Sequence, residues 1–435
     1  MQRRLGSTVL SSVLLALVAC GDADTTASSI ITADVQVDTV GDTITVHTRE
    51  GSVWAGRAAL VPTGPVIGTL DGPPESIFGR VASIALGSDG ALHALDQQAL
   101  HVRTFAPDGE YVRTFGSPGQ GPGEFSKPDA VGVLPDGRIL VRDVPAGRVH
   151  VFDSTGTFLE GWPVVSPLFG TNAPLETDDL GRTWVDTRYA LDDGSLGRRV
   201  VVIVDGDGTP LDTLPDPADY VEPATVEIVI SSEKGTSRYT ANVPFTPSGI
   251  WAVHPDGRIV RGTPDGRGVE VISASGAVRR ISRQRVPVPV HPEERGFFRD
   301  QLTSQLREKS GDWSWNGPEI PETKPEVADI FTGTDGRIWV ALSAPGVEVE
   351  DPMYDSDDPL SSATVWTQPI VFDVFERDGT WVGTVDAPAD FSPYPTPVFA
   401  EDGAWAVTRD ELGVERIQWF ALMSPDAGSN RAAPP

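Results

Sequence analysis

Apolar and polar positions change places along most of the chain in short runs separated by glycine-bearing turns. Around residue 137 the pattern is clearest. Val131 and Val133 belong to one apolar run; Ile139 and Val141 alternate with Arg138, Leu140 and Arg142 in a second. This is the period of a strand rather than of a helix. Asp136-Gly137 between them predicts a two-residue hairpin turn, because glycine takes positive φ without a Cβ clash. Arg148 to Phe152 reads as a third strand, Asp153 to Gly156 as a second turn, and Thr157 to Leu159 as the start of a fourth strand.

The unit repeats. Seven identities recur 47 positions earlier: Phe78, Asp89, Gly90, Asp96, Val102, Phe105 and Gly109 answer Phe125, Asp136, Gly137, Asp143, Val149, Phe152 and Gly156. A period of that length with four strands per unit is that of a β-propeller blade. The first corner recurs at Asp89-Gly90, Asp136-Gly137, Leu180-Gly181, Asp256-Gly257, Asp335-Gly336 and Asp402-Gly403. The second recurs at Gly109, Gly156, Gly208, Gly276 and Gly379, so the last unit lacks its outer strand. The stretch Pro65 to Leu70 precedes the first unit and resembles its outer strand, Val112 to Phe115. The expectation is an all-β, six-bladed propeller spanning 39–423, closed when that N-terminal strand completes the last blade. Closure removes an open sheet edge. Thr43 to His47 and Ser52 to Trp54 form further β segments that the pattern leaves unplaced.

Three insertions interrupt the period. Residues 215–247 predict a β-hairpin turning at Glu233 to Gly235. Residues 283–327 predict the one helix of the fold. Pro292 suits its first turn, Gly311 a stop, and Phe298, Leu302 and Leu306 form one apolar stripe. Residues 342–363 carry an acidic run from Glu348 to Asp358. By their places in the blades all three emerge on one face, over blades three to five. Long loops held by a rigid scaffold are where binding sites usually lie.

Composition sharpens the cellular setting more than the chemistry. The net charge is −28, and removal of a leader bearing Arg3 and Arg4 makes it −30. Such a field disfavours nucleic acid as a partner. The single cysteine excludes an internal disulfide. It closes Leu17-Val18-Ala19-Cys20, after a basic start and the apolar run Val9 to Val18. This resembles the lipobox of bacterial lipoproteins. The resemblance implies a signal peptide over 1–19, lipid on Cys20, and, with Gly21 next, outer-membrane placement in the cell envelope. Residues 20–38 then read as a flexible tether and 424–435 as a disordered tail.

The Gly119 to Phe125 element (G-Q-G-P-G-E-F), the P-D-G-R-I turn at 135–139 and R-V-H-V-F-D at 148–153 resemble NHL-repeat propellers. The later order is more specific. Pro244-Phe245 leads to Trp251 and His254 to Arg258, then to Pro292 to Arg295, Ile320 to Pro325, Asp335 to Val340 and Arg409 to Arg416. Together these resemble the bacterial six-bladed β-propeller lipoproteins, a family without an established general activity. The resemblance implies the fold and leaves the activity open.

No nucleophile motif or zinc spacing stands in the chain, and the Asp205 to Gly208 turn does not complete a calcium motif; the acidic 348–358 run would hold calcium only if it folds back on itself and is otherwise a solvated loop. No cofactor is expected. The candidate ligand-binding residues are Arg142, Arg188, Arg261 and Arg409, at exits of second strands, with Trp313 and Trp315 on the helical insertion. The cations would select an anionic ligand, and the indoles would stack on a sugar or peptide. The plainer readings are an ion pair between blades for each arginine and packing within the insertion for the tryptophans. The expected function is a monomeric, non-catalytic, lipid-anchored scaffold. Its site lies on the face of the insertions, and it binds an envelope protein, peptide or glycan. A hydrolase or lyase, metal-assisted or not, with its site at the central channel is the alternative.

Overall fold

The computed structural model describes residues 34–54, 56–163, 174–190, 196–222, 224–232, 235–351, 354–357 and 361–424. The expected signal peptide, Cys20 and the expected tail from 425 lie outside them. The described strands group into six four-stranded antiparallel units. The first runs Val81–Leu86, Leu92–Asp96, His101–Phe105 and Tyr111–Phe115. The second runs Ala130–Val133, Ile139–Asp143, Arg148–Phe152 and Phe158–Pro163. The third to fifth units begin at Glu176–Thr177, Trp251–Val253 and Val327–Thr332. The last holds Val398–Ala400, Gly403–Arg409 and Glu415–Met423, and takes Ala58–Ile67 as its fourth strand.

Apolar side chains pack between units, and each neighbouring pair has its own core. Phe125 and Phe152 join the first to the second, Trp162 and Leu175 the second to the third, and Trp184 and Val253 the third to the fourth. Val271 and Ile338 join the fourth to the fifth, Phe372 and Phe420 the fifth to the sixth, and Trp405 and Leu92 the sixth back to the first. The fold is therefore a closed β-propeller, with one α-helix among the described residues. Trp162, Trp184, Trp339, Trp381 and Trp405 are all buried in the packing of the blades.

The 47-residue repeat has a physical cause beyond its turns. Asp96 accepts backbone N–H groups from Gly79, Arg80, Gln98 and Ala99. Asp143, its repeat partner, accepts from Ser126, Lys127 and Ala146, each 47 places after a donor of Asp96. One buried carboxylate thus closes the same loop in each of the first two blades. Charge-assisted bonds to otherwise orphaned amides explain why the position is acidic.

Three boundaries differ from the sequence pattern. The closing strand is Ala58–Ile67 rather than 65–70; Pro62 faces Phe420 and Ile67 faces Ile417. Strand pairing begins before residue 38, the expected end of the tether, because Asp34–Val40 already pairs with Thr43–Glu50. That hairpin lies parallel on Val278–Arg283, the outer strand of the fourth unit, and so places the segment that periodicity alone could not. Trp54 N–H then reaches Val382 O at 2.9 Å on the fifth unit. Gly403 is not a turn residue of the Gly90 type: Ala400 pairs with Gly403, so Glu401 and Asp402 form that corner.

Candidate functional site

The insertions fold against one another. Thr225–Ser232 pairs with Gly235–Asn242, and the helix Pro292–Arg307 lies against this hairpin. Between them Val226, Ile228, Leu306, Trp313 and Ile320 form a small core, with Phe298 and Leu302 at its border. The apolar stripe read from the sequence is the face that packs. A second hairpin, Val347–Glu350 with Thr364–Thr367, stands on the far side, where His291 stacks on Trp366.

Lys324 ties the three together. Its ammonium donates to Glu294 Oε1 at 2.7 Å and to Ala344 O at 3.0 Å, and lies 4.9 Å from the centre of the Phe245 ring. Both charged side chains are only 2% exposed. One cation touches the first insertion through Phe245, the second through Glu294 and the third through Ala344.

At the root of the second insertion is a cavity of about 560 Å³, lined by His47, Thr263, Arg267, Arg280, Arg283, Arg285 and Glu326 among others. Arg283 Nη1 donates to both oxygens of buried Asp373 at 3.0 Å, and its guanidinium lies 3.6 Å over the Trp381 ring. Arg285 reaches the same Asp373 and stands 3.8 Å from Glu326. Arg280 and Arg261 share Glu270 at 2.6 and 3.0 Å, and Arg267 stands 3.9 Å from Glu326. Five guanidiniums thus share three carboxylates. Burial pulls Arg283 below the usual arginine range, against the attraction of Asp373. Burial also pushes Glu326 above the usual carboxylate range, against the charges of Arg285 and Arg267. Asp265 stays below it: burial opposes ionisation, but the Thr263 hydroxyl and Arg267 outweigh it.

The central channel is a second cavity, of about 490 Å³, lined by the first strands of all six units. It contains Glu176 and Asp329. Burial pushes Glu176 up to about 7 and raises Asp329 against a hydrogen bond from Ile330 N–H.

The candidate residues fall in different places. Arg142 is 1% exposed and forms a two-pronged pair with Asp129 of its own blade, at 2.8 and 3.2 Å. Arg261 pairs with Glu270 beneath the root cavity, and Arg409 pairs with Glu415 at 2.7 Å in the last blade. The side chain of Arg188 lies outside the described residues. Trp313 donates to Glu227 O at 2.9 Å inside the insertion core, and Trp315 carries Arg299 over its ring at 4.9 Å. The structure therefore brings the two tryptophans together, as packing, and keeps the arginines on separate blades. Sequence reasoning missed the root cavity. Its signal is Arg279-Arg280-Ile281-Ser282-Arg283-Gln284-Arg285, four arginines within seven residues of an acidic chain. Among the described residues no group of three or more His, Cys, Asp or Glu stands close enough to hold a metal ion. Part of the 348–358 run lies outside them.

No protein family and no curated protein matches the chain. Solved structures do. A member of the duf4221 family from Bacteroides vulgatus is 12% identical, with a TM-score of 0.49, over 85% of this chain and 99% of that one. A gluconolactonase from Xanthomonas campestris is 12% identical, with a TM-score of 0.37, over 85% and 99%. A streptogramin B lyase is 12% identical, with a TM-score of 0.36, over 78% and 93%.

Proposed function

We propose that the chain is a lipid-anchored, extracytoplasmic propeller whose insertion face is a non-catalytic platform for an anionic ligand of the cell envelope, such as a carboxylate-bearing glycan or an acidic peptide. The observation that carries this is the root cavity, lined by four arginines, Arg267, Arg280, Arg283 and Arg285, against two carboxylates, Asp265 and Glu326, in a protein of net charge −28. Repulsion by the whole surface discourages anions elsewhere, so a local excess of guanidinium confers selectivity. Arg280 and Arg267 are the half-exposed and exposed members, and so are the ones a ligand meets. Arg283 and Arg285 are held rigid by Asp373, which lowers the ordering cost of binding.

The test is titration calorimetry of the mature protein with oligogalacturonate and with an oligoglutamate peptide. Arg280→Gln and Arg267→Gln should each weaken binding about tenfold, on the scale of one charge-assisted contact, and added salt should weaken it further. Equal affinity in wild type and both variants overturns the assignment. Anchoring is checked separately, by incorporation of labelled palmitate that Cys20→Ser abolishes.

The other reading, a hydrolase or lyase at the channel, is favoured by Glu176, whose affinity for a proton near neutrality suits general acid–base work. Turnover on a lactone and ester panel that Glu176→Gln removes would establish it.

A further inference from the structure

The channel has its own chemistry, opposite in sign to that of the root cavity. Several of its polar side chains are already engaged, three of them in joining blades. Ser83 Oγ accepts from Val131 N–H at 3.1 Å. Thr177 donates to Val133 O at 2.8 Å, and Thr332 to Val253 O at 2.7 Å. Asp129 is taken by Arg142. Two carboxylates remain. Glu176 of the third unit has no hydrogen-bond or ion-pair partner among the described residues, and Asp329 of the fifth takes only its neighbour's amide at 2.8 Å. Among the described residues, no Lys, Arg or His lines the cavity. The first unit contributes no charged side chain, nor does the fourth, and the sixth contributes only Tyr394 as a titratable group.

The geometry points to the central channel as a binding site for a small organic amine, held as its ammonium form by Glu176 and Asp329. An isolated carboxylate withdrawn from bulk water is costly unless a counter-charge joins it. The space is far larger than a bare ion needs and lies in the range of small-molecule pockets. Polar groups and apolar residues such as Ile84, Val131 and Ile330 share its wall. An aliphatic ammonium matches both features: its N–H donors meet the carboxylates and its carbon chain meets the apolar residues. Glu176 carries a proton near neutrality when the site is empty. The amine therefore displaces that proton, and its affinity rises with pH until the amine itself deprotonates.

Calorimetric titration of the full mature protein with ethylammonium and with putrescine, at pH 8 and pH 5.5, tests this, with Ca²⁺ as a comparison probe. Amine binding should be at least about tenfold tighter at pH 8, because Glu176 passes from mostly ionised to mostly protonated across that interval. Glu176→Gln should remove the pH dependence, and Asp329→Asn should weaken binding at both pH values. Arg280→Gln, in the other cavity, should leave it unchanged, which separates this site from the anion site. Each variant is first checked for the wild-type melting temperature; if Glu176→Gln does not fold, Glu176→Asp and Asp329→Asn carry the test. No amine binding at either pH, amine binding indifferent to both carboxylate substitutions, or binding of Ca²⁺ alone would overturn the proposal.

Discussion

Blades one and two conceal neutral rings, carboxylates that gather amides, and ion pairs of one arginine with one carboxylate, Arg103 with Asp96 and Arg142 with Asp129; blades four and five conceal carboxylates shared by two arginines. In the first pair, Asp96 and Asp143 each gather backbone amides, and His93 and His150 are buried imidazoles. His93 meets Thr104 Oγ1 at 3.0 Å. His150 lies edge-on to Phe125 and Phe158, with no hydrogen-bond partner for either ring nitrogen among the described residues. In the second pair, Asp373 and Glu270 are each shared by two arginines, and Lys324 pairs with Glu294. The same strand scaffold tolerates both solutions. Contacts that recur within one blade can be copied from blade to blade, whereas contacts that join distant segments must be made once.

The comparison can be broken most severely at Lys324. Lys324→Met leaves Glu294 buried without its partner, and losing one member of a buried pair costs about 3–5 kcal/mol. Denaturant unfolding should show that loss, and amide exchange should accelerate across 292–307 and 225–242 while blades one and two stay protected. A double variant with Glu294→Leu should recover much of it.

Next is acid sensitivity, which should come from the plainer side of the ring. Burial pulls His93 and His150 down to about 4, so both stay neutral while folded. Unfolded, they take up protons near their ordinary 6.5. The unfolded chain then binds more protons as the pH falls from about 6.5 to about 4, and stability drains away in that window. The cost is on the order of 2 kcal/mol for each imidazole. His150→Leu should flatten the decline in melting temperature between pH 7 and pH 4.5. An unchanged acid limb would remove His150 from the account.

The smallest effects separate two turns of like geometry. At Gly156, φ is +83°, and an added Cβ would meet the Phe115 ring at 2.8 Å; at Gly276, φ is +82°, with nothing within 4 Å. Gly276→Ala should cost about 1 kcal/mol, the backbone term alone. Gly156→Ala should cost about 2 kcal/mol or more, since the packed ring must move. Equal losses would show that the tighter packing of the second blade is not felt at its turns.

Legibility follows the same division. The 47-residue spacing, the turn glycines and the stripe Phe298, Leu302, Leu306 were readable because each is local or periodic. The closing strand was readable because the last blade lacked a turn. Its limits at 58 and 67 were not, since Ala58 and Ala59 also pair with Val385 and Asp386 of the fifth unit, a contact that no local pattern announces. Neither cavity was legible in full. Arg267, Arg283 and Glu326 meet only after the ring has formed. Glu176 and Asp329 are ordinary residues of their strands until six inner strands enclose them.

The pairing of Ile67 with Ile417 also bears on biosynthesis. These residues are 350 positions apart, so a ribosome delivers the first long before the second. Until the final strand emerges, the early one has no mate in its own unit, and its hydrogen-bonding edge is open to strangers. Nonsense mutations that truncate the chain before residue 415 should therefore yield sticky, protease-prone fragments rather than a smaller stable ring, however complete the preceding blades are.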